Sequence, residues 1–298
     1  MESGRLTVAP VVAVCFVGLV ACAKAQDGPP KAAASASASA SASLPAFDSS
    51  TFRRSLPITN EWMPLKPGTR YVYEGTTIED DGTAVPHRVV INVTDLTKMI
   101  GGVRTTVTWD LDYSDNELVE AELAFFAQDS SGTVWRVGEY PEEYDAGKFV
   151  AASPWLHGLE QAQAGIMMHA KPQTGTPDYA QGWGPAVNWT DRAQVDQVGQ
   201  KTCVPLKCYE DVVIIAETSA SEPNAHQLKY YARGVGNVRV GWRGAGEKTK
   251  ETLELVRIEQ LSPAELSAVR DKALALERSA YQRSKAVYGR TPPAERTP

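Results

Sequence analysis

The chain has 298 residues, 43% of them hydrophobic and 22% charged, with a net charge of −6 at neutral pH. Those proportions belong to a globular protein with enough apolar material for a sizeable core, and they exclude a wholly disordered or fibrous chain. With no Lys/Arg cluster and no interleaving of basic and aromatic residues, nucleic acid is not an expected partner.

Residues 7–21 form a nearly unbroken apolar run behind Arg5. The run is shorter than the roughly twenty residues that a membrane-crossing helix needs, and it fits the hydrophobic region of a secretory signal. It ends in Leu19-Val20-Ala21-Cys22, which resembles the bacterial lipobox. That resemblance implies that Cys22 is diacylated and becomes the new N-terminus. The expected partner is then the membrane, and the expected location is the cell envelope, on the outer membrane or the periplasmic face. Lys24, where an acidic residue would retain the protein at the inner membrane, suits outer-membrane sorting by analogy with Gram-negative lipoproteins. Plain secretion after Ala21-Cys22-Ala23 or Ala23-Lys24-Ala25 is the alternative. Residues 1–22 are thus read as signal segment with lipobox and residues 23–45 as tether. Alternating Ala and Ser over 31–43 supplies no large side chain to offset the entropy of ordering.

Residues 46–260 read as a β-domain. Residues 69–78 and 87–95 alternate around a Glu79-Asp80-Asp81-Gly82 turn and predict a hairpin. After Ile100-Gly101-Gly102, Thr105, Val107, Trp109, Leu111 and Tyr113 alternate with Thr106, Thr108, Asp110 and Asp112, which predicts one buried and one wet face. Residues 117–128 place Ala121, Leu123, Phe125 and Ala127 on one face, and a return strand runs through Thr133, Trp135 and Val137. Further strands are expected at Thr202 and over 209–218, 227–232, 238–242 and 252–258. The expected fold is all-β, an antiparallel meander forming a β-barrel or a sandwich-like domain, with a C-terminal α-helix.

Between Glu139 and Asp191 the alternation fails, and Gly, Pro, Met and aromatic residues accumulate. This stretch is read as an ordered excursion over one face or mouth of the sheet, shaping a mostly apolar pocket lined by Trp135, Trp155, Met167, Tyr179 and Tyr231. Cys203 and Cys208 are the only cysteines beyond Cys22, and in an oxidising compartment they are expected to pair. Ser262-Pro263-Ala264-Glu265 opens a helix with a capping box and proline at its first position. Leu266, Val269, Ala273, Leu276 and Ala280 then lie on one stripe, extending to about Val287 within a helical segment over 261–289. That stripe packs on the domain or, less simply, offers a scaffold surface to a partner. Thr291-Pro292-Pro293 ends it, leaving residues 290–298 as a loose tail.

Chemistry is weakly signalled. His157 and His169 lie near Met167 and Met168, but without the spacing of a metal site, and packing explains the methionines better. No nucleophile elbow is present, and strand-face pairs such as Glu120 and Glu122 are ordinarily solvated. Asp129, Glu139 and Asp191 flank strands at either end of the excursion, and a turn-capping role suits Asp129. No metal or cofactor is expected. The leading reading is a non-catalytic, lipid-anchored domain binding a small or apolar ligand. The rival is an envelope enzyme using the loop carboxylates Glu139 and Asp191, with or without metal.

The stretch from Phe125 through Ala127-Gln128-Asp129 to Gly132-Thr133-Val134-Trp135 and Gly138-Glu139 resembles an uncharacterised family of exported bacterial proteins and lipoproteins. The likeness continues through Pro154-Trp155, residues 164–168, Tyr179 and Gln181 to Tyr231-Ala232-Arg233-Gly234-Val235-Gly236, and it includes the opening residues 64–71. It implies an all-β envelope domain and no reaction. Arg136 stands where that family usually has an aromatic residue, and His169 and Arg233 where it has proline.

Overall fold

Alternating side chains with β-branched and aromatic residues on the buried face make residues 69–145 five long strands: β1 (Thr69–Ile78), β2 (Ala84–Ile100), β3 (Val103–Ser114), β4 (Glu117–Gln128) and β5 (Val134–Asp145). Each pairs antiparallel with the next. The computed structural model describes residues 44–52, 57–79, 81–220 and 224–297, so the signal segment, Cys22 and nearly all of the tether lie outside the described residues.

The stretch expected as an excursion is largely part of the sheet. β5 runs on through Glu139 to Asp145 and turns into β6 (Lys148–Ala152), and it also pairs with β7 (Trp155–Leu156) and β8 (Gln163–Met168). Its glycines and prolines place breaks between short strands and do not build a lid. Two-residue strands β9 (Tyr179–Ala180) and β10 (Gly182–Trp183) follow. A second meander comprises β11 (Arg192–Val204), β12 (Lys207–Thr218), β13 (His226–Ala232), β14 (Gly236–Arg243) and β15 (Thr252–Gln260), and β15 pairs with β1. Most of β11 escaped the sequence reading because its residues are polar and its pairing with β12 slips three times. Cys203 and Cys208 sit opposite one another at the tip of that hairpin and are joined by a disulfide.

Residues 179–183 close the ring. β9 pairs with β11, β10 pairs with β8, and Gln181 N between them donates to Asp191 O at 2.9 Å. The sheet is therefore barrel-like and not two stacked layers. Gly165 in β8 allows the approach, since a Cβ there would lie 2.1 Å from Gly182 N.

Helix α1 (Pro263–Arg283) begins at the expected capping box, with Glu265 N donating to Ser262 Oγ and Ser262 N donating to Glu265 Oε2 at 2.8 Å. Its buried stripe of Val269, Ala273, Leu276 and Ala280 lies on the outside of the barrel, over β2 and β4. There it covers Leu96, Ile100, Leu123, Phe125 and neighbours in a second apolar core. The stripe expected either to pack or to meet a partner is thus packed within this chain. The helix stops at Arg283, before Val287, and Tyr288 turns inward, fully buried. Nor is the tail loose: strand β16 (Glu295–Arg296) pairs with Thr97 and Leu96 of β2. Lys98 ties the region together, its Nζ lying 2.9 Å from Glu277 Oε1, donating to Pro292 O at 2.6 Å and standing 4.2 Å from the Tyr288 ring centroid.

With the helix on its outer face, the sheet is buried on both sides along β4. The face of β3 expected to be wet is the barrel lining, and Thr106, Thr108, Asp110 and Asp112 are all buried. Glu120 and Glu122 on β4, expected to be solvated, are buried as well.

Candidate functional site

The lining of the barrel has an apolar end and a charged centre. Register sets Asp110 directly across from Glu122. Like charges in that position repel, so the fold requires a cation beside them. Arg136 on β5 provides it: its Nη2 lies 2.5 Å from Glu122 Oε1 and 2.5 Å from Glu139 Oε2, with the residue only 1% exposed. Burial opposes its charge, but Glu139, Glu122, Asp110 and Asp191 together raise its pKa further. Lys229 on β13 is the second cation, 2.6 Å from Glu217 Oε2, and Gln181 Nε2 donates to Glu217 Oε1 at 2.6 Å. Five carboxyl groups, those of Asp110, Glu122, Glu139, Asp191 and Glu217, thus share two cations. Burial is the largest influence on four of these acids, and it raises Glu122 despite the Arg136 guanidinium beside it. It pushes Asp110 and Glu139 well above the usual carboxylate range, and it raises Asp191, which also faces Glu217, to about 7.

Toward the other end, His87 Nε2 lies 2.7 Å from Asp112 Oδ1, and its Nδ1 is 3.0 Å from Glu251 Oε1. Gln227 donates to the other oxygen of Glu251. The imidazole is held between two acids, so the arrangement is an ion-pair cluster and not a catalytic triad. Burial works against its charge, yet the contacts with Asp112 and Glu251 win and hold its pKa at about 10. A raised pKa in the folded state contributes stability that is complete below the unfolded value and is lost as pH rises through the folded value. Wild-type stability is therefore expected to fall between about pH 6.5 and pH 10, and His87→Gln to flatten that slope while lowering stability at pH 6.5. Denaturant melts of both proteins across this range measure the difference; parallel slopes would show that His87 is not charged in the fold.

The apolar end is capped by residues 57–68. Gln128 Oε1 accepts from Thr59 N and Asn60 N, and the Asn60 side chain donates to Gly132 O and His169 O. Arg233 covers Trp62 at 4.4 Å and pairs with Glu61. Beneath this strap is a cavity of about 70 Å³, walled by Met63, Leu65, Tyr71, Phe126, Met167 and Tyr231, with Asp110 and Lys229 at its polar end. At roughly 10–15 Å³ per water centre, it has room for about five waters, or for one aromatic ring or short alkyl chain.

Of the five residues expected to form one pocket, the structure brings two to this cavity, Met167 and Tyr231. Tyr179 belongs to the same interior core, its ring against His169. Trp135 is on the outer face with Phe47 and Phe52, its Nε1 donating to Asp129 Oδ2 at 2.9 Å. Trp155 packs on Trp189, with ring centroids 4.8 Å apart. The aromatic residues of 139–191 alternate between inside and outside, which composition alone could not show. Glu139 lies within β5 and not in a loop, and neither it nor Asp191 lines the cavity. Asp129 caps its turn, accepting from Ser131 N and Thr133 N. His157 and His169 are in separate surroundings, against Phe47 and Tyr179 respectively. Among the described residues no group of three or more His, Cys, Asp or Glu is arranged to hold a metal ion.

The sequence placed Asp110 on a wet strand face and marked Arg136 only as a departure from a family pattern, it did not single out Lys229, and it pointed to residues 64–71 only through the family resemblance. Two signals pointed to them: a helix whose stripe needs a sheet face to cover, and an apolar outer face on β3 and β4 that such a helix would fit.

No protein-family model and no curated protein matches the chain. Among solved structures, it is similar to a protein from Bacteroides fragilis described as exported and of YmcC-like fold, with 12% identity, a TM-score of 0.40, and coverage of 66% of this chain and 98% of that one. It is also similar to a protein from Parabacteroides distasonis described as a lipoprotein, with 12% identity, a TM-score of 0.31, and coverage of 66% and 98%. A third is a β-barrel-like protein of a domain of unknown function from Brucella abortus, with 12% identity, a TM-score of 0.30, and coverage of 65% and 98%.

Proposed function

We propose that this protein is a non-catalytic, lipid-anchored protein of the cell envelope that binds a small or apolar ligand in its barrel. The observation that carries the reading is the cavity under the 57–68 strap, where apolar and aromatic side chains from separate strands converge around a few polar groups. The anchor rests on the sequence, where Cys22 follows an apolar run of signal-peptide length. The carboxylates of the rival hydrolase reading, Glu139 and Asp191, are buried around Arg136 and do not line the cavity.

Mass spectrometry of the protein extracted from its native envelope tests both parts. The expected spectrum shows an N-terminal Cys22 carrying acyl chains and, under native conditions, an added small-molecule mass. An unmodified N-terminus at Gln26 would remove the anchor, and bare protein under conditions gentle enough to keep ligands would remove the binding role.

A further inference from the structure

The polar end of the cavity is unequal in sign and in availability. Lys229, though it borders the space, has its charge matched by Glu217 at 2.6 Å. Asp110 also borders it, only 6% exposed. One oxygen, Oδ2, accepts from Thr108 Oγ1 at 3.2 Å, while Oδ1 is buried with no protein partner. A buried acceptor without a partner costs on the order of 1–3 kcal/mol, and a ligand donor placed there removes that cost. The surroundings favour a donor that is charged, since five carboxyl groups lie about two cations. A ligand carboxylate would add a sixth acid and find no spare cation there.

We infer that the ligand is a small primary amine on an aromatic or short alkyl body, its ammonium set on the Asp110 carboxyl group, whose Oδ1 has no protein partner, and its body held between Leu65, Tyr71, Phe126, Met167 and Tyr231. The inference rests on the reading of this cavity as a ligand site and adds the chemistry of the head group. Size agrees with it, because a space of about 70 Å³ suits a small body. Burial already raises Asp110 toward its protonated form, so an arriving ammonium would replace that proton.

Three probes of one shape test the proposal by calorimetric titration of the full-length protein in detergent: 2-phenylethylamine, the neutral 2-phenylethanol, and phenylacetate. The amine is expected to bind at least tenfold more tightly than the alcohol and phenylacetate most weakly, and Asp110→Asn to bring the amine down to the level of the alcohol. Asp110→Asn relieves repulsion with Glu122 and is expected to fold; should it not, the order of the three probes on the wild-type chain decides alone. Met63→Trp, which fills the mouth of the cavity, is expected to abolish binding of all three. Amine and alcohol binding equally to wild type, with both lost in Met63→Trp, would overturn the amine inference and leave the cavity reading standing, as would tightest binding of phenylacetate. No binding of any probe at millimolar concentration would overturn both.

Discussion

Arg136→Met is expected to cost roughly 3–5 kcal/mol of folding stability, the range for removing one partner from a buried ion pair. For a chain of this size, that lowers the thermal midpoint on the order of 10 °C. Methionine keeps most of the side-chain volume and the apolar stem, so the loss is electrostatic. Glu122 and Glu139, each 2.5 Å from the guanidinium, would then face each other and Asp110 with Lys229 as the remaining cation. The carboxyl groups respond by holding protons more tightly, and a carboxyl whose folded pKa is raised loses stability as pH rises from its unfolded value through the folded one. The deficit is therefore smallest near pH 4 and grows toward pH 7 and above. Adding Glu122→Gln and Glu139→Gln to Arg136→Met should recover much of the loss, because the three groups act as one network. Differential scanning calorimetry at pH 4.5 and 7.5 on the single and triple variants measures both effects. A deficit under about 1 kcal/mol at pH 7.5 would mean that the acids are neutral in the fold whether or not the arginine is present.

Ending the chain at Gln260 is expected to abolish soluble folded protein. The helix and the strand after it cover the outer apolar face of β2 to β5, including Leu96, Ile100, Leu123, Phe125 and Tyr140. At about 1.5–3 kcal/mol for each large apolar side chain returned to water, the loss is as large as the roughly 5–15 kcal/mol that ordinarily holds a domain together. Lys98 would lose Glu277, its ion-pair partner at 2.9 Å, together with Tyr288 and Pro292, which cover it. Burial already lowers the pKa of Lys98 against the pull of Glu277. The check is the soluble fraction and near-ultraviolet circular dichroism of the truncated chain. A soluble product with unchanged tertiary signal would show that the helix is an accessory to the barrel.

The five strands of the first meander and the capped helix are legible in the sequence because each arises from local rules, alternation in one case and a capping box in the other. β4 spans Glu117–Gln128, the range that alternation alone indicates. The character of a strand's second face is not a local property. Asp110 and Asp112 have the same pattern whether they face water or the lumen, and closure of the ring through residues 179–183 decides between these. Arg136 stood out only as a departure from a family pattern, and its role depends on two partners, Glu122 and Glu139, brought together by register. The cavity was harder still to foresee, since its lining is drawn from the strap, seven strands of the barrel and the turn between β13 and β14. The wealth of aromatic residues in 139–191 indicated burial correctly but could not say on which side of the wall each ring would lie.

The five residues that close the ring also settle how the sheet meets other molecules. Without them β8 and β11 would each present an open row of amide and carbonyl groups, the kind of edge on which strands of separate chains add to one another. Residues 179–183 occupy both edges at once, β9 on β11 and β10 on β8. The length of β11 they leave uncovered is guarded in another way. Its register with β12 slips at Val195, Gln197 and Gln200, and it carries Asp196 and Lys201. Such an edge resists the addition of strands from a second copy of the chain.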